Sequence, residues 1–324
     1  MRRFLSFVLP LVGLAIFVWI VRRAGPERIA GILAGIDPRD LVWAPPLVLA
    51  ISLVRGARWR YVMRTLGIEC SLARSTQVWA IGFFASAVTP AKAGDVVRAV
   101  YLRNDSGRPL GETFLTVFLD RLWDLGFILV AGTISALVFS RRYIQIPSAP
   151  LLAAAAVVIG AAAVIMTNRR WMRALLKPVS SVLVPERYRD GLSSGFHSFY
   201  DALRVHGARP TRSVNMALLT LATWGLIFLL AIYAARIVSV PVSFGYIILI
   251  MPIVTLVELL PVSLAGLGTR EATVMYFFSV VGVGSAEAVG FSIVYVLVGT
   301  YLTALAGFVL WLRHPVRWPR ADSP

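Results

Sequence analysis

Apolar runs close to membrane-crossing length, separated by gaps rich in arginine, leave this chain few ways to fold. The longest runs from Thr113 to Phe139, and others cover Phe4–Val21, Leu41–Val54, Leu151–Met166, Val214–Val238, Phe244–Leu260 and Ala288–Leu312. Crossing a hydrocarbon core ~30 Å thick takes ~20 such residues in a helix. With 58% hydrophobic and 15% charged residues over 324 positions and a mean hydropathy of +0.77, the chain lies far from soluble domains, which are about a quarter charged. The sequence therefore predicts an all-α polytopic membrane protein, one domain over residues 1–324, with about eight transmembrane helices. A formal net charge of +16 would suggest nucleic acid in a soluble protein. Here the basic residues fall between apolar spans, where they face anionic headgroups and set orientation, so no nucleic-acid partner is expected.

Two runs, 76–88 and 272–283, are too short to cross and are expected to be re-entrant or broken. Met1-Arg2-Arg3 before Phe4–Val21 resembles a secretory leader, but the run is long and Arg22-Arg23 follows in place of a small-residue cleavage site, so it reads as a retained first span. Lysine and arginine accumulate on the cytoplasmic side. Arg55, Arg58, Arg60, Arg64 and Arg74 stand against Glu69 between residues 55 and 74, nine Lys/Arg stand against three acids in 168–212, and Arg313, Arg317 and Arg320 end the chain. All three agree as cytoplasmic only if 76–88 enters and returns, which predicts a multi-pass protein of the cytoplasmic (inner) membrane with both termini in the cytoplasm. Within 168–212, Tyr188, Leu192, Phe196, Phe199 and Leu203 recur at helical spacing opposite charged residues, as in an amphipathic helix lying on the bilayer.

The two short runs adjoin matching interruptions. One is Thr89-Pro90-Ala91-Lys92-Ala93-Gly94-Asp95-Val96-Val97-Arg98, the other Leu260-Pro261 through Gly266-Leu267-Gly268-Thr269-Arg270-Glu271. Proline and glycine break a helix within lipid only where protein or a wet cavity satisfies the freed backbone groups. Pro90 with Gly94, and Pro261 with Gly266 and Gly268, therefore point to an interior site built by pseudo-symmetric halves. Lys92, Arg98 and Arg270 would be its cations, with Asp95, Glu258 and Glu271 as counter-charges, and guanidinium geometry suits a phosphate. The alternative is that these arginines reach out to the headgroup layer.

Asp120, Arg121 and Asp124 interrupt the longest run and share a helix face with Thr113, Thr116 and Ser135. Each such charge costs ~2.5–3.5 kcal/mol at the bilayer centre, so this face must turn inward. The triad carries one excess negative charge, and Lys92, Arg98 or Arg270 is expected to balance it. Such a network can equally serve only to lock helices together. The single Cys70 excludes an internal disulfide, the three histidines sit in basic loops or the tail, and no catalytic, metal-site or phosphate-loop motif is present. No cofactor, no metal and no enzymatic activity are expected.

At Thr89-Pro90 through Arg98 with Tyr101-Leu102, at Phe118-Leu119-Asp120-Arg121-Leu122-Trp123-Asp124, and at Leu260-Pro261 through Glu271-Ala272, the sequence resembles the lysylphosphatidylglycerol synthase transmembrane-region family, also called flippase-like domains. That family's first motif often reads Pro-x-Arg-x-Gly-Glu; Lys92 and Asp95 keep the signs of charge here, although lysine gives up the planar fork. The resemblance implies a multi-span domain with re-entrant elements that moves lipids, such as aminoacylated phosphatidylglycerol, between leaflets, while other relatives are associated with polyprenyl-linked sugars. It also implies that any lipid-modifying enzyme would be a separate partner, since no soluble aminoacyl-transferase domain is expected within residues 1–324. Two other readings stay open: a membrane component of polyprenyl-linked glycan assembly, and a structural or regulatory subunit.

Overall fold

A backbone surrounded by lipid has to satisfy its own hydrogen bonds, and the described part of this chain does so with helices joined by short turns. The computed structural model describes residues 14–89, 94–145, 210–259 and 266–315. The run 151–166, the amphipathic segment centred on 188–203, and Pro90, Lys92 and Pro261 lie outside them. In chain order the helices are α1 (14–24), α2 (Pro26–Ala34), α3 (Ala44–Thr65), α4 (Leu72–Val88), α5 (Asp95–Ser106), α6 (Leu110–Phe139), α7 (Pro210–Ile237), α8 (Phe244–Glu258), α9 (Thr269–Val280), α10 (Ser285–Val296) and α11 (Thr303–Arg313). A short helical turn over Asp40–Trp43 leads into α3, and wider π-helical turns over Ser140–Ile144 and Leu297–Leu302 extend α6 and join α10 to α11.

Among the described residues four continuous helices are long and apolar enough to cross a membrane: Asp40–Thr65, Leu110–Ile144, Thr211–Ile237 and Ser285–Arg313. Their outward faces carry large apolar side chains, among them Leu49, Val130, Ile134, Leu218, Leu221 and Leu305, as lipid requires. The chain divides into two compact units, each drawn from three stretches of sequence. The first comprises residues up to Ile51, Phe127–Leu152 and Trp224–Thr303, the second Ser52–Gly126, Ala153–Thr223 and Ala304 onward. The first unit packs around Ala231, Ala234, Ile247, Ile250, Val254 and Phe278, the second around Trp59, Met63, Trp79, Ile81 and Ala99.

Each unit contains a helical hairpin too short to cross. In the second unit α4 and α5, about 25 and 18 Å long, run antiparallel. Arg74 at the start of α4 grips Asp105 near the end of α5 through two hydrogen bonds of 2.7 and 2.9 Å, while a Cβ on Gly94 would lie 2.0 Å from the backbone carbon of Ala85. Near the tip, Thr89 Oγ1 donates to the Ala85 carbonyl at 2.7 Å and accepts from the Gly94 amide at 2.8 Å. In the first unit α8 and α9, about 22 and 18 Å long, return in the same way. The Tyr246 hydroxyl donates to the Phe277 carbonyl at one end and Arg270 meets Glu258 at the other. The interrupted motifs thus fall between the two arms of each hairpin, and α5 runs back antiparallel to α4.

One expectation needs correction. Residues 55–65 are not a cytoplasmic loop but the second half of α3, and Arg58 is completely buried. The helix continues because Arg55 and Arg58, one turn apart, find carboxylates inside the second unit, while Trp59, Val62 and Met63 pack with its buried apolar residues.

Gly94 tests the hairpin directly. A methyl group there meets backbone, which cannot step aside, so Gly94→Ala should cost about 1–3 kcal/mol, read as a lowered unfolding midpoint of the purified protein in detergent.

Candidate functional site

The inward face predicted for α6 is present: Thr113, Thr116, Asp120, Asp124 and Ser135 are all buried. Asp120 and Asp124, one turn apart, receive arginines from two further helices. Arg58 on α3 donates from Nε to Asp120 at 2.8 Å and from Nη1 to Asp124 at 2.6 Å, and Arg55 reaches Asp124 at 3.1 Å. Arg98 on α5 donates from Nη2 to the other oxygen of Asp120 at 3.0 Å. Arg121 turns aside from Asp124, 3.6 Å away, to make a two-pronged contact with Asp95 at 2.7 and 2.8 Å. Asp95 also benefits from its place in the first turn of α5, where the helix dipole favours negative charge.

Among the described residues the network joins four guanidinium groups, Arg55, Arg58, Arg98 and Arg121, to three carboxylates, Asp95, Asp120 and Asp124. The negative charge left on α6 alone is thereby matched by arginines from α3 and α5. Arg98 supplies part of the balance, as anticipated. Arg55 and Arg58 supply the rest and were missed because arginines following an apolar run look like a loop.

Arg98 occupies a built socket. Its side chain is fully buried, its guanidinium carbon lies 4.3 Å from the centre of the Trp59 ring, and its stem runs where a Cβ on Gly82 would stand, 2.3 Å from Arg98 Cγ. Trp59 is itself fixed by a 3.0 Å hydrogen bond from its indole to Thr116. Yet among the described residues Nε and Nη1 of Arg98 have no hydrogen-bond partner; Asp95 stands 3.9 Å from Nη1, beyond hydrogen-bond reach. A buried guanidinium nitrogen without an acceptor is costly, and such an orphan marks a place where a ligand belongs.

The α8–α9 hairpin carries a second network, in which the described residues place Arg270 between Glu258 and Glu271. Arg270 Nη1 meets Glu258 at 3.2 Å, and Nη2 and Nε meet Glu271 at 2.9 and 3.1 Å. Ser292 on α10 accepts from Arg270 Nε at 3.1 Å and donates to Glu271 at 2.8 Å, a connection with no sequence signal. The other oxygen of Glu271 accepts from the Gly268 amide at 2.6 Å, capping α9, while Gly266 and Gly268 turn the chain with φ of 80° and 83°. Arg98 and Arg270 both lie inside protein rather than reaching outward to headgroups. Arg98 thus belongs to a network within the second unit and Arg270 to one within the first, while Lys92 lies outside the described residues. Among the described residues no group of three His, Cys, Asp or Glu side chains is placed to hold a metal ion.

Four long apolar helices, two short hairpins with charged tips and two buried ionic networks define an all-α polytopic membrane protein. The chain belongs to the lysylphosphatidylglycerol synthase transmembrane-region family, whose model matches residues 6–307. A UPF0104 membrane protein of Pyrococcus horikoshii is 20% identical over 95% of this chain and 97% of its own length. A UPF0104 membrane protein of Methanocaldococcus jannaschii is 25% identical, but the match spans only 38% of either chain. The glycosyltransferase AglD of Haloferax volcanii is 31% identical over 33% of this chain and 17% of its own.

Arg58→Ala should destabilise the protein by about 3–5 kcal/mol, because it strips a partner from two buried carboxylates at once. Unfolding titrations of the purified variant in mixed micelles would register this as a lowered midpoint.

Proposed function

We propose that the protein is a lipid translocase of the cytoplasmic membrane, moving an anionic or aminoacylated phospholipid, or a polyprenyl-phosphate lipid, between leaflets. Arg98 carries this reading: a fully buried cation with two nitrogens that have no hydrogen-bond partner among the described residues. A headgroup phosphate supplies the acceptor those nitrogens lack, while its acyl tails stay in lipid. Neutralising the headgroup lowers the cost of carrying it through hydrocarbon. Both nitrogens are shut off in the conformation described, so alternate exposure of the socket is part of the proposal. Arg270, with all three nitrogens engaged by Glu258, Glu271 and Ser292, serves here to hold its hairpin tip. Lipid is the partner, and any enzyme that modifies it acts separately.

Arg98→Gln should abolish movement of fluorescent phosphatidylglycerol in reconstituted vesicles while the protein stays folded, since Asp120 keeps Arg58 as a partner. Movement at the wild-type rate would remove Arg98 from the mechanism.

The partial likeness to AglD favours a second reading, a membrane component of polyprenyl-linked glycan assembly. Sugar transfer by the purified protein that stops with a chelator would support it over translocation.

Orientation has its own handle in Cys70, between α3 and α4 beside Arg60, Arg64 and Arg74. With the basic loops and both termini in the cytoplasm, a membrane-impermeant maleimide should label Cys70 in inside-out vesicles and not in right-side-out ones. Burial and the charge of Asp105 raise the thiol pKa. Less thiolate is then present at neutral pH, so labelling should speed up as the pH rises.

A further inference from the structure

The first unit has an open groove of about 370 Å³ on its flank, remote in sequence from either charged hairpin tip. Its walls are Pro46 and Leu47 from the start of α3 and Leu229 and Ile232 from the end of α7. Trp43, Tyr233 and Arg236 complete its lining toward the ends of the two helices. Both helices belong to membrane-spanning segments that terminate here, one beginning at Asp40 and the other finishing at Ile237. The groove therefore starts at the membrane–water boundary and follows α7 inward from Arg236 to Leu229, about 10 Å at 1.5 Å per residue. Tyrosine and tryptophan are the residues that settle at that boundary. Trp43 is 68% exposed, and the Tyr233 hydroxyl is fixed by donating to the Asp40 carbonyl.

Arg236 decides the occupant. Its guanidinium rests 4.6 Å from the centre of the Phe244 ring, and among the described residues no carboxylate pairs with it. We infer that the groove holds one acyl chain of an anionic phospholipid, with the lipid phosphate at Arg236 and the chain against Leu47, Leu229 and Ile232. A single lipid chain suits its apolar walls, with Arg236 beside its boundary end. The site requires no transport and is independent of Arg98.

The test is native mass spectrometry of the full chain titrated with phosphatidylglycerol or phosphatidylcholine. Wild type should retain one phosphatidylglycerol more tightly than the rest. Leu229→Trp, at a position 49% exposed and so tolerant of bulk, should fill the groove and weaken that binding about tenfold. Arg236→Gln should erase the preference for phosphatidylglycerol over phosphatidylcholine. A second readout does not depend on the Leu229 variant folding: chain-brominated phosphatidylglycerol should quench wild-type fluorescence more than that of Trp43→Phe. Equal lipid retention by wild type and a folded Leu229→Trp, or equal quenching with and without Trp43, would mean annular lipid only and would overturn the site.

Discussion

The contact of α6 carboxylates with arginines on neighbouring helices is what permits the second unit to exist inside a membrane. Asp120 and Asp124 are prohibitive alone in hydrocarbon, and so are Arg55, Arg58 and Arg98. Joined at 2.6 to 3.1 Å, they become the reason three helices pack in one register. The apolar residues around them cannot supply that specificity, since lipid tails solvate leucine as readily as a neighbouring helix does. The charges fix which helices meet, and small residues such as Gly82 fix how closely.

The two hairpins share one design and differ in how their arginine is held. Each turns back within too few residues to cross, and each places an arginine near its tip. The α4–α5 hairpin leaves its arginine with donors in reserve, whereas the α8–α9 hairpin surrounds its arginine with acceptors from Glu258, Glu271 and Ser292. Similar sequence motifs thus serve different chemistry, and the difference comes from partners distant in sequence.

Much of this was legible in advance. Helical class, the breaks near residues 90 and 261, the return of 76–88 and the inward face of α6 follow from hydropathy, proline and glycine placement, and helical periodicity. Arg55 and Arg58 were illegible by the same logic, because a positively charged stretch after an apolar run is the usual mark of a cytoplasmic loop. The clue was their spacing of three with Trp59, Val62 and Met63 continuing the apolar pattern, and it acquires meaning only beside Asp120 and Asp124. Ser292 and Trp59 were beyond reach, since a hydroxyl or an indole bonding across helices leaves no trace in one sequence.

The α4–α5 hairpin is tied at its mouth by Arg74 and Asp105 and closed at its tip by the contact of Gly94 with Ala85. A two-armed element clasped at both ends cannot spread like tweezers. Both clasps tie α4 to α5, so the arm that bears Arg98 stays in register with Gly82, the glycine that makes room for it, while Arg98 reaches across to Asp120 on α6.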